Sequence, residues 1–470
     1  MTHLPRFVVA APGSGHGKTM IATGLMAALR ARGLQVSPHK VGPDYIDPSY
    51  HGLAAGRVGR NLDPMLQGEE RIVPLLLHGA VTPTPADVAV IEGVMGLFDG
   101  QLGGAGFSST AHVARLVDAP VVLVVDCAAA SRSVGAVVHG FTTYDPDVRV
   151  AGVILNNVAS PRHEAEVRAS IVGIPVLGVV PRLPEIVVPS RHLGLIPVAE
   201  RAPEAVTAVD ALADLIGEHV DLDALLALAA TAPALDATPW SPKCGLWSAE
   251  VGAVVTRGGT CGPTVAVFGG PAFSFTYAEN VEQLAAAGAE VLIVDPLAGD
   301  RLPTGTSALV IGGGFPEMHL DALAANAALL DDVRTFVEAG GPTVAECAGL
   351  LYLGRALDGV TMAGAVPMTA EMTRRLTLGY RRATALVDGP IVREGEQVTG
   401  HEFHKTAVTY DADAARPAWQ WELHDGTPAT EGWVRGSVHA SYLHVHGAGH
   451  PEHAARLVQA AQEYAASVPA

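Results

Sequence analysis

The stretch Ala11-Pro12-Gly13-Ser14-Gly15-His16-Gly17-Lys18-Thr19 decides the fold of the first half of the chain. It follows a short apolar run, residues 7–10, and precedes residues 20–32, whose apolar side chains recur at helical spacing. The order strand, glycine-rich turn, helix is the context that a phosphate-binding loop requires. The strict pattern Gly-x4-Gly-Lys-Thr needs a glycine where this chain has Pro12, so the sequence predicts a variant loop. An ordinary strand-to-helix turn is the alternative, but Gly-Lys-Thr in this context favours nucleotide binding.

Several residues of this loop suit a bound phosphate. Gly13, Gly15 and Gly17 let successive backbone N–H groups turn toward an anion. Lys18 can place a positive charge at the β- and γ-phosphates, and the Thr19 hydroxyl can ligate Mg²⁺ at the start of the helix. The sequence therefore predicts a nucleotide and Mg²⁺ at this loop.

The composition restricts the class of protein. With 470 residues the chain is long enough for two or three domains. A formal charge of −18 without a basic stripe argues against nucleic acid or an anionic membrane as a partner. The first residues lack the apolar core of a signal peptide, so we expect a cytoplasmic protein. The cysteines at 127, 244, 261 and 347 form no Cys-x-x-Cys pair and predict neither a disulfide nor a zinc framework; we interpret Cys127 as buried and inert.

Two further loops carry polar residues directly after apolar strands. One follows a strand that begins at Val36, and the other follows a strand at residues 88–91. Loops after parallel strands meet at the carboxyl edge of the sheet, where open α/β folds bind ligands. An acid at the end of the second strand is the usual further ligand to Mg²⁺ in a P-loop protein. The polar residues concerned are Lys40, Asp44, Tyr45, Asp47, Glu92 and Asp99.

The strand pattern predicts two different α/β domains. Apolar runs separated by helix-length segments continue to about residue 200, which indicates a doubly wound parallel sheet. Residues 202–229 have helical spacing, whereas residues 231–263 are rich in Pro, Gly, Ser and Thr without a sustained period. A second α/β pattern starts at residue 264. The predicted division is a domain at residues 1–230, a linker at 231–263 and a second domain at 264–460.

Cys347 lies where the second domain's apolar strand at residues 343–346 turns directly into a helix. A nucleophile on such a sharp turn projects above the sheet, and the helix N-terminus is expected to lower the thiol pKa. The glycine turn with Gly313 and Gly314 and the N–H of Ala348 offer donors for an oxyanion hole. This pattern predicts a nucleophilic cysteine.

A base for the cysteine is expected from a stretch near the C-terminus. Residues 438–446 alternate and contain His439, His444 and His446. A metal cluster with the nearby His450 and His453 is one alternative, but no cysteine or paired acid completes a recognisable ligand set. A Cys–His pair is the favoured interpretation. Side-chain alternation puts 444 and 446 on one face, so position alone leaves two candidates.

In order and combination, these motifs are similar to those of one family. The chain resembles the cobyrinate (or hydrogenobyrinate) a,c-diamide synthases, glutamine-dependent amidotransferases of corrin biosynthesis, over nearly its whole length. The combination is highly specific. The matching motifs lie at residues 13–19, 41–48, 92–100, 313–317, 345–347, 400–404 and 440–444.

The resemblance implies an N-terminal ATP-dependent amide synthetase domain similar to dethiobiotin synthetase. It also implies a C-terminal class I glutaminase domain with Cys347 as nucleophile and His444 as its base. Two departures stand out: Ala348 follows the cysteine where relatives often carry glycine, and His446 occupies the place of the glutamate that orients the base in ordinary class I glutaminases. We therefore expect a Cys–His dyad whose orienting partner the sequence does not identify.

The implied activity is the amidation of two acetate side chains, c and then a, of a corrin macrocycle. ATP converts a carboxylate to an acyl phosphate, and ammonia from glutamine displaces the phosphate. Expected partners are the macrocycle, ATP and glutamine; the oligomeric state, with a homodimer as one option, stays open. The residues implied in these roles are Lys18 and Lys40 at the phosphates, Thr19, Asp47 and Glu92 at Mg²⁺, and Asp44, Tyr45 and Asp99 at the macrocycle.

Two alternatives stay open at this point. A related macrocycle amidase, cobyric acid synthase or nickel-sirohydrochlorin a,c-diamide synthase, shares the plan; residues 43–47 favour the a,c-diamide group. Whether the macrocycle holds cobalt, nickel or no metal is not visible in the sequence. A non-enzymatic P-loop partitioning or metallochaperone ATPase is the other alternative, and the second domain with Cys347 and His444 argues against it.

Overall fold

A computed structural model describes residues 1–182, 190–191, 194–195, 198–200, 202–242, 262–423 and 425–467. The chain divides into two compact units, Met1–Ser241 and Pro242–Ala470. Most of the predicted linker, with Cys244 and Cys261, lies in residues 243–261, outside the described part. Among the described helices none is both long and apolar enough to cross a membrane.

The first unit is built on a seven-stranded sheet in the order β3-β2-β4-β1-β5-β6-β7. Every neighbouring pair in it is parallel. Its first four strands are buried along their whole length, as expected for a sheet covered on both faces. The predicted doubly wound sheet is confirmed. The strands are β1 Arg6–Ala10, β2 Val36–Val41, β3 Arg60–Leu62, β4 Val88–Glu92, β5 Val121–Asp126, β6 Val150–Val158 and β7 Val176–Pro181, followed by a separate antiparallel pair, β8 Ser190–Arg191 and β9 Gly194–Leu195.

Helices connect these strands. The predicted helical segment 202–229 is two helices rather than one, because Asp221 accepts a hydrogen bond from the N–H of Ala224 and starts a new helix. Val220, just before it, pairs with Gly178 of β7. The helices are α1 Lys18–Ala31, α2 Asp47–Ala55, α3 Pro64–Gln67, α4 Glu69–Val81, α5 Thr110–Leu116, α6 Ser133–Thr143, α7 Pro161–Arg168, α8 Ala202–His219 and α9 Leu222–Ala229.

The second unit contains a six-stranded sheet in the order β11-β10-β12-β13-β21-β20, parallel except for its last pair. A second sheet, β15-β14-β16-β17-β22 with β18 and β19 attached, is mainly antiparallel. The strands are β10 Thr264–Phe268, β11 Glu290–Val294, β12 Thr306–Ile311, β13 Thr343–Glu346, β14 Ala356–Leu357, β15 Val360–Thr361, β16 Met368–Ala385, β17 Gln397–Tyr410, β18 Trp419–Glu422, β19 Pro428–Glu431, β20 Trp433–Arg435, β21 Val438–Ser441 and β22 His444–Val445. The helices are α10 Ala278–Ala286, α11 Leu320–Ala325, α12 Ala327–Glu338, α13 Ala348–Leu353 and α14 Glu452–Ser467.

The histidine-rich stretch 438–446 is not one extended segment, contrary to the expectation from its alternation. Its first part, β21, pairs with β13 in the six-stranded sheet, and its last part, β22, pairs with β17 in the other sheet. The chain crosses between the sheets at residues 442–443. Since β13 and β21 are parallel, Cys347 and His444 both follow the carboxyl ends of adjacent strands.

Candidate active sites

The glycine-rich loop lies between β1 and α1, as predicted. Gly15 and Gly17 have φ of 84° and 87°, a left-handed conformation that favours glycine. A Cβ at Gly17 would also lie 2.3 Å from Nδ2 of Asn156, which donates a hydrogen bond to the carbonyl of His16. The first turn of α1 has no side-chain cap, and uncapped N–H groups at the start of a helix suit an anion.

Lys18 is buried and bridges two loops. Its Nζ donates to the carbonyl oxygens of Gly13 at 2.9 Å and Met95 at 2.5 Å. Burial, and then the neighbouring Lys40, lowers the pKa of Lys18 to about 8. A phosphate at the loop would oppose both effects, since a nearby anion favours the charged ammonium.

Four of the predicted site residues meet beside this loop. The Thr19 hydroxyl lies 2.7 Å from Oε1 of Glu92 and 3.2 Å from Oδ2 of Asp47. Nζ of Lys40 donates to the same two carboxylates, at 2.9 Å and 2.6 Å. A hydroxyl and two carboxylates are hard oxygen ligands, which is the donor set that Mg²⁺ prefers. His51, which the sequence analysis missed, adds its Nε2 at 2.6 Å from Oε2 of Glu92.

The two carboxyl groups of this cluster differ in their pKa. Burial, followed by the charge of Asp44, raises the pKa of Asp47 to about 6. Burial would also raise the pKa of Glu92, but Lys40 and His51 outweigh it and hold it at about 2. The charge of Asp47 and Glu92 likewise raises the pKa of Lys40 despite its burial. In this cluster the positive charge of Lys40 therefore lies beside the carboxyl groups of Asp47 and Glu92.

The residues predicted to line the macrocycle site shape their own loops. Oδ1 of Asp44 accepts hydrogen bonds from the N–H groups of Ile46 at 2.8 Å and Asp47 at 3.0 Å. Oδ2 of Asp99 accepts one from the N–H of Gly96 at 3.0 Å. Tyr45 lies half-buried in the same loop as Asp44. These contacts give Asp44 and Asp99 a structural role, and their contact with the macrocycle stays a prediction.

Polar residues at the carboxyl ends of β5 and β6 form a second side of the loop, and they were not predicted from the sequence. Nδ1 of His16 accepts a hydrogen bond from the N–H of Asp126 at 3.0 Å. Asn157, with φ of 57°, donates from Nδ2 to Oδ1 of Asp126 at 2.9 Å. The signal was available, because Asn156 and Asn157 end an apolar strand at the ligand-binding edge.

In the second unit, Cys347 occupies the predicted sharp turn between β13 and α13. Its φ of 51° and ψ of −102° are unfavourable for a residue with a Cβ. Its N–H donates to the carbonyl of Ser441 at 2.7 Å, and its Sγ lies 3.9 Å from the carbonyl oxygen of Phe403. The hydrogen bond to Ser441 of β21 thus stabilises this unfavourable backbone conformation of Cys347.

The predicted lowering of the Cys347 pKa is wrong for this conformation. Burial, and then the charge of Glu317, raises the pKa of the thiol well above its usual range, and this outweighs a hydrogen bond from the N–H of Ala348. The six-residue α13 cannot compensate for the loss of water. Cys127, predicted to be inert, is buried as well, and burial raises its pKa to about 11.

The predicted oxyanion-hole donors are not equivalent. The N–H of Gly313 donates to the carbonyl of Phe275 at 3.2 Å, which corrects its assignment as a donor to the substrate in this conformation. Gly313 instead makes room for the base, because a Cβ there would lie 2.4 Å from Cε1 of His444. Gly314 and Ala348 stay predictions.

His444 is fully buried, and burial followed by the nearby His404 lowers its pKa to about 3. Its ring stacks on that of His401 with 4.9 Å between centroids and 13° between planes. Its Nδ1 lies 3.8 Å from Oε2 of Glu346. His439 is separate: its ring packs edge-on against Trp419.

A half-buried acid, Glu431, holds the segment that leads to His444. Glu431 accepts hydrogen bonds from the hydroxyl of Ser441 at 2.6 Å and from the N–H of Tyr442 at 2.7 Å. Burial raises the pKa of Glu431 to about 8. The ring of Tyr442 stacks on that of His404 at 3.6 Å between centroids. Glu431 was not predicted from the sequence.

The metal cluster that the sequence offered as an alternative is partly present in the structure. His450, Glu452 and His453 each bring one ligand atom to within 4.8 Å of the others. Nε2 of His450 accepts a hydrogen bond from the N–H of Thr399 at 3.2 Å, so we assign the ring proton to Nδ1, which faces Glu452. In that tautomer the only lone pair of the ring is on Nε2, where the N–H of Thr399 already engages it. The cluster is better explained as a hydrogen-bonded group at the start of α14.

Comparison with known families agrees with this geometry. Residues 7–196 match the CobQ/CobB/MinD/ParA nucleotide binding domain, and residues 264–451 match the CobB/CobQ-like glutamine amidotransferase domain. A nucleotide-binding domain followed by a glutamine amidotransferase domain defines the class of the protein as a glutamine-dependent amide ligase.

Curated relatives match along almost the entire chain. The hydrogenobyrinate a,c-diamide synthase of Thermobifida fusca is 53% identical, and that of Streptomyces coelicolor is 52% identical; each alignment covers 97% of both chains. The cobyrinate a,c-diamide synthase of Gloeobacter violaceus is 42% identical over 93% of both. The chain belongs to the family of hydrogenobyrinate and cobyrinate a,c-diamide synthases.

Proposed function

We propose that the protein uses ATP and glutamine to amidate the a and c acetate carboxylates of hydrogenobyrinate, the metal-free macrocycle. The choice of the metal-free macrocycle rests on a difference in sequence identity between two groups of relatives. Relatives named for hydrogenobyrinate are 50–53% identical, whereas those named for cobyrinate are 35–42% identical. The fold and the two clusters described above support the general reaction.

In the first unit, the reaction activates a carboxylate that is otherwise a poor acyl donor. A substrate carboxylate oxygen attacks the γ-phosphorus of ATP, the bond to the bridging oxygen breaks, and ADP leaves. The glycine loop and Lys18 bind the phosphates, and Lys40 faces the transferring group. Thr19, Asp47 and Glu92 would hold Mg²⁺, which would offset the charge of the phosphates.

In the second unit, the reaction releases ammonia from glutamine. Sγ of Cys347 attacks the side-chain carbonyl carbon, and the C–N bond breaks to leave a thioester and ammonia. Because burial keeps the thiol protonated and His444 neutral, the thiol proton passes to His444 as the C–S bond forms and then to the leaving nitrogen. Water cleaves the thioester to glutamate, and the ammonia displaces phosphate from the acyl phosphate in the first unit.

The choice of macrocycle is tested by kinetics with the two substrates. We expect kcat/KM for hydrogenobyrinate to exceed that for cobyrinate by at least about tenfold, measured from diamide formation by mass spectrometry. The assay contains saturating ATP, and saturating ammonia replaces glutamine. The comparison then measures only the reaction of the first unit. Equal or reversed preference would contradict the assignment to the metal-free macrocycle.

A series of alanine variants tests which histidine is the base. We expect His444→Ala to lower the glutaminase rate by ~10²–10⁴-fold, because that is the usual loss on removing a general base. His439→Ala and His446→Ala should cost much less, since His439 packs on Trp419 and His446 faces Glu279. Ammonia-dependent synthesis serves as the control for folding in all three. An active His444→Ala beside a dead His446→Ala or His439→Ala would show that the assignment is wrong.

A further inference from the structure

The chain crosses from one sheet to the other just before His444, and two residues of the crossing belong to no strand. Ser441 is the last residue of β21 and His444 the first of β22, so Tyr442 and Leu443 lie between the strands. Both of these residues are buried. Because buried N–H groups need acceptors, the crossing needs acceptors other than those of a strand ladder.

The acceptor at the crossing is the carboxyl group of Glu431, the last residue of β19. Its Oε1 accepts a hydrogen bond from the N–H of Tyr442 at 2.7 Å, and its Oε2 lies 2.6 Å from the hydroxyl oxygen of Ser441. The Ser441 oxygen in turn accepts a hydrogen bond from the N–H of Leu443 at 2.9 Å. One side chain therefore holds three successive residues, 441–443.

A glycine allows Glu431 to approach this segment closely. Gly432 has φ of 82°, in the left-handed region that favours glycine. A Cβ there would lie 3.0 Å from the carbonyl oxygen of Ala440 and 3.3 Å from Cβ of Ser441. The chain directly after Glu431 is thus packed against β21, so packing as well as hydrogen bonding fixes the carboxyl group beside that strand.

The segment held by Glu431 contacts the nucleophile at one end and leads into the base at the other. The carbonyl of Ser441 accepts the hydrogen bond from the N–H of Cys347 at 2.7 Å, which stabilises the nucleophile at its φ of 51°. Leu443 is followed directly by the fully buried His444. A shift of the segment would displace both groups, and a misplacement of about 1 Å at a reacting centre costs ~10²-fold in rate.

We propose that Glu431 is a positioning residue of the glutaminase site: by holding residues 441–443 it sets the geometry between the nucleophile and the base. The proposal rests on the roles of Cys347 and His444 given above. It does not depend on the charge of Glu431, whose pKa burial raises to about 8. A carboxyl group protonated at Oε2 donates to the second lone pair of the Ser441 oxygen, while Oε1 still accepts from the backbone.

The test is Glu431→Met, which keeps the length of the side chain and removes both oxygens. We expect kcat for glutamine hydrolysis to fall by at least ~10²-fold, because nucleophile and base lose their alignment. KM for glutamine should change by less than about threefold, and ammonia-dependent synthesis should be unchanged. Glu422→Met is the matched control, an exposed acid at the end of the neighbouring strand β18, and should keep kcat within about threefold.

Glu431→Gln separates positioning from a role of the charge. The amide keeps an acceptor for the N–H of Tyr442 and donates to the Ser441 oxygen, so kcat should stay within about tenfold of the unaltered protein. A role through charge predicts instead that Glu431→Gln loses as much as Glu431→Met.

Ser441→Ala separates positioning from a general loss of structure. It removes only the hydroxyl group between Glu431 and Leu443, so kcat should fall at least about fivefold with little change in KM. In the double variant this loss should not add to that of Glu431→Met, because both changes break the same link.

Three results would overturn the proposal: near-normal kcat in Glu431→Met, an equal loss in Glu431→Gln, or a change in KM alone. If Glu431→Met did not fold, a normal kcat in Ser441→Ala would overturn it as well. Each of these leaves the proposed function intact as long as Cys347 is essential for use of glutamine. An active Cys347→Ser would instead remove the proposed function itself.

Discussion

Cys347→Ser is expected to lose glutamine-dependent amidation by at least ~10³-fold while it keeps amidation with a high concentration of ammonia. The serine hydroxyl is a much weaker nucleophile than the thiol, and His444, with its pKa lowered by burial, is a weak base for it. The first unit needs only free ammonia, so its reaction should be unaffected. The measurement is the rate of diamide formation with each nitrogen source.

Cys127→Ala is the control for this variant. Cys127 is buried in the first unit and lies far along the chain from the glutaminase motifs, so its removal should leave glutamine hydrolysis unchanged. Loss of both glutamine- and ammonia-dependent synthesis in Cys347→Ser would contradict a division of the chemistry between two sites.

Lys18→Ala has the other large expected effect. It removes the ammonium group that joins the glycine loop to the segment at Met95 and that would bind the β- and γ-phosphates. Loss of such a phosphate contact should lower amidation by at least ~10³-fold with either nitrogen source, because phosphoryl transfer depends on charge stabilisation. Glutamine hydrolysis should persist.

Lys405→Ala serves as the matched control for Lys18→Ala. Lys405 lies on β17 in the second unit, so ammonia-dependent amidation should stay at the normal rate when it is removed. Near-normal ammonia-dependent synthesis in Lys18→Ala would mean that the loop has a structural role only.

The first site could be predicted to a large extent because one topological rule places it. Thr19 follows β1 and its loop, Lys40 is the last residue but one of β2, and Glu92 ends β4. The carboxyl ends of these parallel strands meet at one edge of the sheet. His51 was missed because it lies within α2, where nothing in the local sequence shows that it faces Glu92. Its partner depends on the packing of α2 against the sheet.

The position of the second site could be predicted from the sequence, but the pKa of its cysteine could not. The turn at Cys347 follows from local sequence, but the rise in its pKa comes from burial and from Glu317, a residue distant in the chain. The surroundings of His444 could not be found for a similar reason. They depend on the crossing between two sheets at residues 442–443, which brings Val445 to Glu346 and takes His446 to Glu279.

Isotope transfer tests whether ammonia released in the second unit amidates two carboxylates that are activated in the first. The protein would be incubated with hydrogenobyrinate, ATP and glutamine labelled with heavy nitrogen in its side-chain amide, and the product analysed by mass spectrometry. We expect a diamide with both amide nitrogens labelled, and an unlabelled diamide when Cys347→Ser is supplied with unlabelled ammonia beside the labelled glutamine. Labelled diamide from Cys347→Ser, or no diamide from the unaltered protein, would refute this transfer of ammonia.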